Sequence, residues 1–288
     1  MIEGNPLINL GDISKPATVL IEKISDAIGG YYKPYQIKRV AKAEAEAEII
    51  KAQAQIEVTD LQRRALVRFV AEESRKQDNM EKITQKAIPL LEESSNPENV
   101  EDDWITNFFD KCRIVSDEEM QSLWAKVLAG EANSPGTYSK RTVNFLGSLD
   151  KTDAQLFTSL CGFGLFLGDV APLIFDEKQP IYNNQGINFD ALSHLDDIGL
   201  VSFNSISGFN RLNFPKRVTF SYYGIPLNVE FNQETGNELE FGKVILTKTG
   251  QQLAPICGSK PVDGFLDYII VRWTKKGLIF SSPYPRET

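Results

Sequence analysis

KRVAKAEAEAEIIKAQAQIEVTDLQRRALVRFVAEE, residues 38–73, contains neither glycine nor proline. The same absence extends from Tyr35 to Ile88. The stretch is built mainly from Ala, Glu, Lys, Gln and Arg, which lose little rotamer freedom on entering a helix. It reads as one long helix, about 80 Å from end to end at 1.5 Å per residue. Val40, Ala43, Ala47, Ile50, Ala54 and Leu61 recur near three-four spacing, with Val58 as the link and Ala65 beyond. Such a stripe is a candidate coiled-coil seam. Alanine buries little surface, and an isolated helix of this length is marginal in water. The expectation is therefore contact with a second copy, with another chain, or with the body of the same chain. Asp78-Asn79 is the expected break.

Upstream, Gly4, Asn5, Pro6, Gly11 and Asp12 are turn formers. Ser14 reads as an N-cap with Pro16 in the first turn. Leu20, Ile21, Ile24 and Ile28 then share one helical face, and Gly29-Gly30 ends the segment. With Lys15, Lys23, Lys33, Lys38 and Arg39 nearby, residues 1–34 form an amphipathic segment for a partner or a membrane surface. Glu22 and Asp26 weaken attraction to anionic lipid. The start lacks the basic and apolar regions of a secretory signal.

Downstream, SSNPENVEDD, residues 94–103, reads as a polar linker. Trp104, Ile105, Phe108, Phe109 and Cys112 then fall on one helical face. SDEEMQSLWAKVLAGEA opens with a capping-box pattern, Ser116 and Glu119. Helices are also expected over Ser139–Leu146 and Thr152–Phe163, and residues 156–175 read as a buried helix pair. Past Pro180 the periodicity changes. NFDALSHLDDIGLVSFN reads as a helix ending at Gly199 and then a strand. RVTFSYYGIPLNVEF reads as a hairpin, and GKVILTKTGQQLAPIC as a strand followed by a helix. This succession resembles a winged helix. The fold class is thus mainly α with a C-terminal α+β part. Four segments are expected: residues 1–34, the long helix at 35–93, a helical domain at 94–178 and a winged-helix-like domain at 179–288.

The chain has 288 residues and a net charge of −8, which disfavours broad contact with a phosphate backbone. The helix in the recognition position carries Asp190, Asp196 and Asp197 and no Lys or Arg. Lys216, Arg217, Lys243, Lys248, Arg272, Lys275 and Lys276 are the cations left for a patch elsewhere. Cys112, Cys161 and Cys257 are scattered and form no CxxC pair, so they fit a reducing cytoplasm better than a disulfide framework or a zinc site. No glycine-rich phosphate loop and no G-x-S-x-G elbow is present. His194, the single histidine, lies among Leu192, Leu195 and Ile198 and reads as a hydrogen-bonded structural residue. Catalytic, cofactor and metal residues are accordingly expected to be none.

KPATVLIEKISDAIGGYYKPYQIKRVAKAEAEAEIIKAQAQIE and SDEEMQSLWAKVLAGEANSPGTYSKRTVNFLGSLDKTDAQLF together resemble an uncharacterised bacterial family defined as a domain of unknown function. Glu118–Glu131 is similar to part of the Abi-alpha proteins of abortive infection. The resemblance implies a bacterial protein in antiviral defence and supplies no catalytic residues. The expectation is a cytoplasmic, homo-oligomeric scaffold that binds a protein partner. One alternative is a membrane-associated effector peripheral to the inner membrane, acting through the N-terminal segment. The other is a winged-helix DNA-binding regulator.

Overall fold

The computed structural model describes residues 14–28 and 59–281. The chain divides between Ser148 and Leu149 into two compact units. The linker expected at residues 94–103 therefore lies inside the first unit, and the boundary expected after residue 178 lies inside the second.

The first unit is helical. Helix α1 is Lys15–Ile28 and α2 is Asp60–Ala87. Helices α3, α4 and α5 are Asp102–Cys112, Glu118–Asn133 and Lys140–Leu146. The face read from the sequence of α3 is the buried one: Trp104, Ile105, Phe108, Phe109 and Cys112 are all inside. Phe108 packs edge-on against Trp124 of α4 at 5.1 Å between centroids. Helix α4 is capped by Asp117, not by Ser116; the Asp117 carboxylate accepts from the N–H groups of Glu119 and Met120.

Helix α2 runs through Asp78-Asn79 without a break. Asn79 is tolerated there because its amide has partners: it donates to the Arg113 carbonyl at 2.9 Å and accepts from the Gln121 amide at 3.4 Å. The polar run after α2 is not a free linker because α4 holds it. Asn133 Oδ1 accepts from the Glu92 N–H, and its amide donates to the Leu90 carbonyl, both at 3.1 Å. Pro97 is buried in the same place.

The second unit begins with α6, Lys151–Cys161. The expected helix pair over residues 156–175 is instead this helix end followed by a hairpin, β1 Gly164–Leu167 and β2 Asp169–Pro172. Gly168 turns it at φ +77°, a backbone region that a side chain disfavours. The apolar run alternates rather than coiling: Leu165 is buried and Phe166 exposed.

After the short α7, Pro180–Asn183, come α8, Phe189–Asp197, and β3, Val201–Phe203. Strands β4 to β8 are Phe209–Phe214, Arg217–Tyr222, Ile225–Glu230, Asn237–Gly242 and Val244–Leu246. Helices α9 and α10, Lys248–Leu253 and Phe265–Thr274, precede β9, Ile279–Ser281.

One antiparallel sheet has the order β2-β1-β5-β6-β9; β3 pairs with β8, and β4 with β7, in separate ladders. The expected hairpin forms, with a tight turn at Tyr223-Gly224. It joins the five-stranded sheet, however, and not the ladder that holds β3. Phe163, Phe220, Phe265 and Trp273 fill the core between that sheet and the helices. The chain as described is mainly helical with a C-terminal α+β part.

Candidate interaction surface

Helix α2 is formed from its first residue. The Thr59 hydroxyl accepts from the Gln62 N–H, and the Gln62 side chain accepts from the Thr59 N–H, a complete capping box. Asp60 pairs with Arg64 at 3.3 Å, and Lys76 with Glu72 and Glu73 at 2.9 and 2.8 Å. The Lys76 ammonium holds the Glu72 carboxyl below its ordinary range.

The two halves of this helix differ. From Asn79 onward one stripe is inside the first unit: Asn79, Ile83, Thr84 and Ala87 are buried against neighbours that include α4. From Asp60 to Phe69 every residue is exposed. Leu61 is 69% exposed, Val67 59% and Phe69 60%. Those values are high for large apolar side chains in a well-formed helix, and they mark an uncovered surface.

Of the seam residues read from the sequence, Leu61 and Ala65 fall among the described residues. Both stand exposed in the first two turns of α2. Val40, Ala43, Ala47, Ile50 and Ala54 lie outside the described residues. The apolar cluster Leu66, Val67, Phe69 and Val70 was not picked out by the three-four count. The run ALVRFV is its sequence signal, because four apolar residues in five put apolar surface on flanks that no single stripe can bury.

The N-terminal face is used differently from the lipid or partner contact expected of it. Leu20 and Ile24 are fully buried within the first unit, where α1 packs on α3, and Ile21 and Ile28 are half-buried. Thr106 Oγ1 donates to the Ala27 carbonyl at 3.2 Å, and Lys23 pairs with Asp102 at 2.7 Å. Among the described residues no helix is long and apolar enough to cross a membrane.

In the second unit five of the seven cations of the expected patch have carboxylate partners. Lys216 pairs with Glu234, Arg217 with Glu230 and Lys243 with Glu177. Arg272 and Lys276 both reach Glu240. His194 Nε2 lies 2.8 Å from Asp153 Oδ1, joining α8 to α6. Cys257 sits beside Cys161, whose thiol hydrogen bond lowers the Cys257 pKa to about 6. Burial pushes the Cys161 thiol well up. Among the described residues no three His, Cys, Asp or Glu side chains gather as a metal-binding group. Two open cavities, of about 460 and 330 Å³, flank the Gly258-Ser259 turn. Thr158, Asn184 and Lys260 line the first, and Cys161, Phe166 and Tyr223 the second.

The fold and this exposed helix define a helical protein with an appended antiparallel α+β unit. The chain belongs to the family described as protein of unknown function DUF2806, whose model matches residues 63–270. No curated protein and no solved structure matches it.

Proposed function

We propose that this is a non-catalytic interaction protein that assembles with copies of itself through α2. The carrying observation is the contrast along that helix: a capped, ion-paired first half with Leu61, Leu66, Val67 and Phe69 exposed, continuous with a second half locked into the core. A coiled-coil contact through the exposed half is the assembly this arrangement favours. The similarity of Glu118–Glu131 to Abi-alpha proteins supports a setting in bacterial abortive infection, with a cytoplasmic location. Light scattering of the purified full chain is the test. The expected result is a mass above that of one chain, shifted toward one chain by the double substitution Leu66→Asp, Phe69→Asp. A wild-type protein of single-chain mass at all concentrations removes the proposal.

One observation favours a second reading for the C-terminal unit. Helix α8, Gly199 and β3 lead into the β3–β8 ladder, and Thr247 after β8 caps α9 while donating to the Gly199 carbonyl at 2.7 Å. This helix–strand–strand–helix junction supports a winged-helix-like reading. The paired cations elsewhere in this unit and the acidic α8 favour a protein partner over DNA. Duplex DNA that binds in a salt-dependent way, and is released by Lys216→Glu with Arg217→Glu, reverses that preference.

A further inference from the structure

We infer that the exposed half of α2 pairs antiparallel with α2 of a second copy, about a two-fold axis at the level of Arg68. This rests on the self-assembly reading above and adds its geometry. At 3.6 residues per turn, Leu66, Val67, Phe69 and Val70 crowd one side of the helix. Arg64 and Arg68 lie on the other side. The centre of that apolar flank is turned about a third of a turn from the stripe of Asn79, Ile83 and Ala87 that the first unit buries, and the flank lies on turns of α2 that precede that stripe. The contact therefore leaves the internal packing intact.

The sequence around Arg68 reads as its own complement when reversed. In an antiparallel pair Leu66 meets Val70 of the second copy, and Val70 meets Leu66. Val67 lies level with Phe69 of the second copy, and Phe69 with Val67, on either side of the axis. One turn further out on both sides, Arg63 meets Glu73 of the second copy, and Asp60 lies level with Lys76. An isologous two-fold contact requires this reciprocity, residue i on j and j on i. A parallel pair would set Arg63 against Arg63 and Glu73 against Glu73. Arg63 has no ion pair among the described residues. Glu73 shares Lys76 with Glu72, so it can turn to a new partner while Lys76 keeps one. The contact from Arg63 to Glu73 is about 15 Å long. It falls below the standard interface of about 1,200–2,000 Å², and the pairing depends on concentration.

The test is charge reversal, read by sedimentation of the full chain across a concentration series. Arg63→Glu or Glu73→Arg alone weakens association about tenfold, because each acts twice across the axis. The double variant Arg63→Glu, Glu73→Arg restores it. Rescue cannot arise within one chain, where the two positions lie about 15 Å apart. A mixture of Arg63→Cys and Glu73→Cys proteins, in a Cys257→Ser background, cross-links 63 to 73 in preference to either position to itself. An oligomer indifferent to these changes, or cross-linked 63 to 63, overturns the antiparallel geometry and leaves self-assembly standing. A protein that never associates overturns both.

Discussion

Glu131 shows how one buried side chain organises the end of α4. Its carboxylate accepts from the N–H groups of Gly136 and Tyr138 at 2.6 and 2.8 Å, closing the loop that leads to α5. Burial pushes its pKa up, and those two N–H groups oppose the rise. Glu131→Ala leaves both donors unpaired and should cost the first unit about 2–4 kcal/mol in chemical denaturation. Trp104 closes the same loop by donating from Nε1 to the Tyr138 carbonyl at 2.7 Å. Trp104→Phe keeps the ring packing and should cost less, about 1–2 kcal/mol. In the second unit, the hydrogen bond from Cys161 makes Cys257 the thiol that ionises first. Iodoacetamide labelling of the folded protein should occur at Cys257 and rise through pH 6. Cys112 and Cys161, both buried, should react only after unfolding. A labelling curve centred near the ordinary thiol value of about 8.5 would count against that hydrogen bond.

At the scale of the element, α2 joins two regimes in one helix. Ile83 is fully buried, so Ile83→Ala should destabilise the first unit by about 2–5 kcal/mol. Val67→Ala, at an exposed site, should change the stability of the monomer by less than about 0.5 kcal/mol. Comparing the two melting curves at low protein concentration separates packing from association. The elements themselves were unequally legible. Trp104, Ile105, Phe108 and Phe109 declared the buried face of α3, because large apolar residues at helical spacing admit one orientation. Residues 156–175 misled, because a short apolar run fits a buried helix as well as a hairpin. Gly164 and Gly168 decided it through backbone geometry that hydrophobicity does not report. The pairing of Lys216, Arg217 and Lys243 with carboxylates 13 to 66 positions away was equally unreadable, since it depends on strand register and chain return.

The whole molecule contains two cores, and each should answer to its own substitutions. Calorimetry should show Glu131→Ala lowering the transition of the first unit, and Trp273→Ala lowering that of the second by the greater amount expected of a deleted buried aromatic, about 3–5 kcal/mol. The family match at residues 63–270 begins inside the exposed half of α2 and crosses the division at Ser148. The stretch that defines this family therefore includes most of both cores and of the proposed contact helix, and leaves out α1 and Trp273.

The cap at Thr59 also has a mechanical meaning. Its backbone, at φ −58° and ψ 154°, leaves helical geometry just where the hydrogen-bonded ladder of α2 begins. The exposed flank of α2 is thus ordered at one end by its own cap and aimed at the other by the buried half of the helix, as a bracket is aimed by the wall it is fixed to.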